Sequence, residues 1–213
     1  MIPKLFMILL MLVLGAMAFS HLDFTSGKLA SIAPAAGPVQ VDTAQADAAP
    51  VPGGAFAVMD TDGKVVTEKD LVGDKYHLVF FGFANCAEAC PAMLGAMDWV
   101  MNNLPPATQA KVQFVFVSVD SLRDTAPKLA EFVHGFNPTF KAWRGTPEQI
   151  ERMTRAYMAT AVLPEGATVS DTAWQASHST LLYLMGPDGR YVTHLRNSDS
   201  ATDIRDKLAE LVK

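Results

Sequence analysis

The sequence predicts an α/β fold in which a mixed sheet is covered by helices. Two apolar runs without alternation, "HLVFFGF" (77–83) and "KVQFVFVSVD" (111–120), read as strands buried on both faces. Helical periodicity follows each run, as crossovers between parallel strands require. Short pairs of strands about Asp-Gly turns, one before and one after this core, add antiparallel partners.

Taken in order, residues 1–19 hold one early charge, Lys4, and then an uncharged apolar run from Leu5 to Phe19. This is a signal peptide or a membrane anchor. Ala16-Met17-Ala18 fits an A-x-A cleavage site, yet the run is also close to the length that spans a bilayer, and both outcomes stay open. Either one places the remainder in the periplasm, or on the outer face of the cytoplasmic membrane. Residues 20–53, rich in Ala, Pro, Gly, Ser and Asp, have too few large apolar side chains to offset the entropy of ordering them. They read as a flexible tether, and residues 54–213 as the folded domain.

Within that domain "FAVMDTDGKVV" is a hairpin about Asp62-Gly63. After the first buried strand, Cys90, Met93, Leu94, Met97, Val100 and Met101 recur at helical spacing, predicting a helix to about Asn103. Thr125 is placed to cap the next helix, with Leu129, Phe132, Val133 and Phe136 as its buried stripe and Gly135 near its end. "TPEQIERMTRAY" opens a third, with Thr146 and Gln149 as a capping box and Pro147 at the first helical position. "TLLYLMGPDGRYVTHL" is a hairpin about Asp188-Gly189. Ser200 and Asp203 start a last helix with Ile204, Leu208, Leu211 and Val212 on one side. This order describes a thioredoxin-like sandwich. One connection is out of proportion: residues 159–179 show no helical or strand period, and long loops of this kind in compact domains are mostly functional or disordered.

The chain has 213 residues, 50% of them hydrophobic, and a formal net charge of -5, so a sizeable core is available and a phosphate-binding surface is not. Its only two cysteines are Cys86 and Cys90, in "FFGFANCAEACPAML". They follow the carboxyl end of a buried strand, where α/β sheets place ligands. The expectation is that Cys90 caps the helix, with Pro91 in its first turn, and that the helix dipole favours the Cys90 thiolate.

Three readings of the pair compete. A structural disulfide would close only a tiny loop, which limits its effect on the unfolded chain. A redox-active Cys86–Cys90 disulfide would serve a thiol–disulfide oxidoreductase. A metal site would take Cys86, Cys90 and His178 as ligands, and two thiolates with one imidazole suit Cu(I) and tolerate Cu(II). His178 stands out because it ends the long loop and opens an interior strand. His21, His77, His134 and His194 read as tether, strand-end, late-helix and hairpin histidines. Asp120, at a strand end, is either an acceptor behind the site or a cap for the next turn. Met93, Met97 and Met101 read as core packing rather than a thioether route for copper.

"GGAFAVMDTDGKVVTEKDLVGDKYHLVFFGFANCAEACPAML", "VFVSVDSLRDTAPKLAEFVHGFNPTF", "RGTPEQIERMTRAY" and "HSTLLYLMGPDGRYVTHL" resemble the Sco/SenC family. The likeness covers about residues 53–212. It implies a thioredoxin-like domain, usually membrane-tethered, that binds copper through the residues standing here as Cys86, Cys90 and His178. It also implies a metallochaperone rather than an enzyme, delivering copper to the dinuclear copper centre of cytochrome c oxidase during assembly. The alternative is a metal-independent thiol–disulfide reductase or redox sensor acting on the oxidase subunit cysteines. Implied partners are a copper-accepting oxidase subunit, a thioredoxin-like reductant and, as a further option, a second copper chaperone; no nucleic acid is implied. The chain departs from the family pattern at Ala87 and Glu88, where proline and aspartate are usual, and at Ser121, where proline is common. A peroxiredoxin motif is absent, since Val79 and Phe83 hold its proline and Thr/Ser places before Cys86.

Overall fold

The computed structural model describes residues 50–171 and 173–213, so the expected signal or anchor, residues 20–49 of the expected tether, and His21 lie outside the described residues. At the centre of the sheet is a parallel trio. Its members are the third, fourth and fifth strands in chain order, β3 (Tyr76–Gly82), β4 (Val112–Ser118) and β5 (Lys141–Arg144). β1 (Ala57–Asp60) and β2 (Val65–Thr67) extend the trio antiparallel on the β5 side. On the β3 side stand β8 (Leu181–Met185) and β9 (Tyr191–Arg196), also antiparallel. The seven-stranded order is β2-β1-β5-β4-β3-β8-β9, and a separate two-stranded ladder is formed by β6 (Ala161–Val162) and β7 (Ser177–His178). Both expected Asp-Gly turns form, with Gly63 at φ +82° and Gly189 at φ +74°, the left-handed region that a side chain rarely adopts.

β5 carries no signal of its own in the sequence. It is four residues long, begins on Lys141 and ends on Arg144, and buries just Ala142 and Trp143. Its place is fixed by neighbours, because both edges find partners in β4 and β1.

The helices cover the sheet according to the alternation of β3. α1 (Ala89–Asn103) and α3 (Ala126–His134) lie over the face carrying Phe80, Gly82 and Phe116: a side chain at Gly82 would strike Cys90, and the Phe116 ring meets Phe132 at 5.9 Å. Two elements complete this helical layer, the short α2 (Pro106–Gln109) between α1 and β4, and α5 (Ala201–Leu211), packed on α1. On the other face Phe81 and Tyr183 meet Tyr157, which caps the C-terminus of α4 (Pro147–Ala156), at 5.5 Å each. The Thr146–Gln149 and Ser200–Asp203 capping boxes form as expected. Thr125 stands at the cap of α3, but its side chain accepts no capping hydrogen bond. Met93, Met97 and Met101 are buried in the core.

Three expectations need correction. Cys90 is not the cap of α1: that position is Glu88, Cys90 lies inside the first turn, and Pro91 follows it where the amide has no intrahelical partner to lose. The long connection is not structureless, and His178 does not open an interior strand. β6 pairs antiparallel with β7, so Ala161 faces His178, and the interior strand β8 begins three residues later. Two-residue strands are too short for alternation to register. Their ladder is continued by Ser179 N–H donating to Thr160 O at 2.9 Å and Thr160 N–H donating to Ser179 Oγ at 2.8 Å.

Candidate metal centre

The cysteine loop leaves β3 at its carboxyl end and is pinned at several points before α1 begins. Ala84 N–H donates to Asp124 Oδ2 at 2.9 Å, and Lys128 Nζ donates to Asn85 Oδ1 at 2.8 Å. Cys86 N–H turns back to Phe83 O at 3.2 Å. Both cysteines are free thiols; Cys86 is half-buried and Cys90 wholly buried.

The helix start directs its donor at the other sulfur than expected. Cys90 N–H donates to Cys86 Sγ at 3.3 Å, while the Cys90 thiol sits enclosed by the Phe116 ring and the Gly82 backbone. Burial pushes the Cys90 thiol well up, only partly offset by the Phe83 N–H, so the expectation of a dipole-favoured Cys90 thiolate is overturned by desolvation. The ring-free Ala87 and the charge of Glu88 both face solvent.

His178 comes to the pair from the opposite side. Its Nδ1 lies 2.9 Å from the Ser179 carbonyl oxygen, which only accepts, so Nδ1 carries the proton and Nε2 keeps its lone pair. That Nε2 stands 3.9 Å from Cys90 Sγ. The ring is held edge-on by Phe80 and Phe83, at 6.0 and 5.7 Å between centroids. Burial lowers the His178 pKa, against the raising effect of the Ser179 carbonyl, which keeps the ring neutral at neutral pH. A bridging first-row metal, at about 2.3 Å from sulfur and about 2.0–2.1 Å from imidazole nitrogen, holds the two about 3.5–3.8 Å apart at tetrahedral to trigonal angles. The observed gap is close to that span.

Cys86 is adjacent but not yet turned inward, since its sulfur is engaged by the helix amide. Accordingly, among the described residues no group of three His, Cys, Asp or Glu side chains is gathered at coordinating range. The other described histidines stay apart. His77 is at the far end of β3 with its Nδ1 buried and bonded to none of the described residues, His134 is exposed at the end of α3, and His194 bonds Tyr191 Oη at 2.6 Å.

Asp120 does not reach the site. Its carboxylate is taken by Arg123, whose Nε donates to Oδ2 at 2.5 Å and whose backbone N–H donates to Oδ1 at 2.9 Å. The acceptor behind the cysteine loop is Asp124, which sequence reasoning passes over. Its Oδ2 takes the Ala84 N–H and the Ser118 hydroxyl, the latter at 2.6 Å, and burial holds its carboxyl above the usual range. The available signal is a second acid just before Thr125, at the start of α3. Trp174 and Gln175 are missed as well: the Trp174 ring lies on the Arg123 guanidinium, and Gln175 Nε2 donates to Asn85 O of the cysteine loop at 3.3 Å.

A family model described as SCO1/SenC matches residues 44–213. The mitochondrial "Protein SCO1 homolog 1" of Arabidopsis thaliana is 34% identical over 154 residues, which is 71% of this chain and 45% of that protein. The chain spans about half the length of the curated relatives it matches. Among solved structures, yeast Sco1 with copper bound superposes with a TM-score of 0.71 at 29% identity, covering 76% of this chain and 89% of that one. A SCO1/SenC family lipoprotein from Bacillus anthracis str. Ames superposes with a TM-score of 0.63 at 25% identity, covering 77% and 96%.

Proposed function

The chain belongs to the SCO1/SenC family, and from that premise we propose that it binds copper through Cys86, Cys90 and His178 and delivers it to an acceptor during assembly of cytochrome c oxidase. The observation that carries this reading is the neutral Nε2 lone pair in direct contact with Cys90 Sγ at 3.9 Å, its ring flanked by Phe80 and Phe83. Thiolates select Cu(I), and an added imidazole accommodates Cu(II). The copper-bound yeast relative supports the choice of metal.

On loading, the thiols lose their protons to solvent, and Cys86 turns from the Cys90 amide toward the ion. Cys86 is the half-exposed ligand, so release begins there. A thiolate of the acceptor replaces Cys86 first, and the buried Cys90 and the loop-borne His178 let go afterwards. The acceptor is a cysteine-bearing oxidase subunit, and a thioredoxin-like reductant keeps the pair as dithiol in an oxidising compartment. The N-terminal segment carries the domain across the cytoplasmic membrane, to stay anchored on its outer face or to be released after signal cleavage. Among the described residues no helix is long and apolar enough to cross a membrane.

A second reading rests on the free, unequally exposed thiols. As a reductase, Cys86 would attack a substrate disulfide, and Cys90 would then attack the mixed disulfide, leaving Cys86–Cys90 oxidised and the substrate reduced by two electrons. The burial that holds Cys90 as a thiol opposes both that second step and metal loading, since each needs the thiolate, but a bound cation offsets the cost by stabilising the anion. Anaerobic titration of the reduced protein with Cu(I) and Cu(II) decides between them. Delivery expects stoichiometric binding, with His178→Ala losing Cu(II) affinity and its thiolate-to-copper absorption. Binding that ignores His178, beside full activity of the dithiol on a model disulfide, would leave the reductase.

A further inference from the structure

The His178 loop is held at its base by the β6–β7 ladder, and its far part is tied to the rigid core through Arg123. Arg123 is buried at the turn after β4, paired with Asp120. Its Nη1 donates to Trp174 O at 3.2 Å and to Asp171 O at 3.4 Å, and its guanidinium carbon lies 3.2 Å from the centre of the Trp174 ring. Trp174, itself buried, donates from Nε1 to Thr168 O at 3.1 Å, which ties the loop's tip to the same contact. Gln175, next in sequence, then bridges to the cysteine loop. A planar cation stacked on an aromatic ring while bonding that residue's own carbonyl and one upstream fixes orientation as well as distance.

We infer that Arg123, acting through Trp174, is a positioning residue that sets His178 against the cysteines, so that this clamp controls the histidine-dependent part of copper binding. The inference rests on the copper site argued above. Among the described residues Arg123 makes no hydrogen bond to either cysteine or to His178, and Trp174 is its link to the histidine loop.

The test uses Trp174→Leu, because truncating Arg123 would strand the buried Asp120 and threaten the fold. Trp174→Phe, which keeps a ring face, is the conservative rescue. Reduced full-length proteins are titrated with Cu(I) and Cu(II), and hydrogen exchange of residues 161–177 is followed without metal. The clamp expects Trp174→Leu to lose at least tenfold in Cu(II) affinity, to change Cu(I) affinity less than threefold, and to add nothing to His178→Ala. It also expects faster exchange across 161–177 alone, and recovery of most of the loss in Trp174→Phe. If His178→Ala weakens Cu(II) binding but Trp174→Leu does not, or Trp174→Leu weakens both ions equally, the clamp is wrong and the copper site stands. If His178→Ala itself binds Cu(II) like the parent protein, the site reading fails and the clamp with it.

Discussion

Gly82→Ala puts the tightest contact of the site under load. A β-carbon there would lie 2.8 Å from two ring atoms of Phe116 and 2.9 Å from Cys90 Sγ. Ordinary contact is about 3.5–4.0 Å, so each neighbour must retreat by about 0.6–1.2 Å. Neither is a free chain end: Phe116 is buried in β4 and Cys90 in the first turn of α1. Overpacking of this kind costs about 1–3 kcal/mol. At about 2–4 °C per kcal/mol for a domain of this size, melting should fall by about 2–12 °C. The same displacement acts on a Cys90 sulfur that now stands 3.9 Å from His178 Nε2, so Cu(II) affinity should also drop. Gly95→Ala is the control. It lies exposed in the same helix with nothing within 4 Å of the new methyl, and replacing a mid-helix glycine should stabilise by about 0.5–1 kcal/mol. Thermal melts of the three reduced, metal-free proteins, followed by copper titration, give the answer. A Gly82→Ala protein that melts with its parent and binds Cu(II) equally well would refute the claim that Gly82 is there to admit the sulfur.

Asp124→Ala removes the acceptor for Ala84 N–H and the Ser118 hydroxyl. It should destabilise by about 1–3 kcal/mol per orphaned buried donor in chemical denaturation, and Asp124→Asn should lose less because one oxygen remains. His178 and His77 both have folded pKa values below the ordinary histidine value through burial. The unfolded chain therefore takes up protons first, and stability should decline as pH falls through about 6.5 toward the folded values. His178→Gln should flatten that decline only in part, leaving the His77 share; an unchanged slope would contradict the buried, neutral ring. Ser200→Ala breaks the capping box of α5 and should cost about 0.5–2 kcal/mol in thermal melting.

What can be read in the sequence is whatever local chemistry determines. The Asp-Gly turns, the Thr146 and Ser200 capping boxes and the buried runs of β3 and β4 carry their own signals within a few residues. The cysteine pair is legible for the same reason, and His178 through its place at the end of a long connection. β5 and the β6–β7 ladder are not, since strands of four and two residues exist by virtue of partners far along the chain. The roles of Asp120 and Asp124 cannot be separated for a related reason. Both lie in "DSLRD", and only the folded turn decides that the first carboxylate meets Arg123 while the second meets Ala84. The Cys90 thiol runs against its helix position because burial, a tertiary property, outweighs the local dipole.

The sulfur of Cys86 is the side-chain acceptor at the start of α1, where Glu88 contributes no capping bond and the first turn has no acid. Whatever draws that sulfur elsewhere, an ion or a second sulfur, leaves the Cys90 amide bare. Loading and oxidation therefore draw on the same atom, and each takes one bond from the first turn of the helix on which α5 packs.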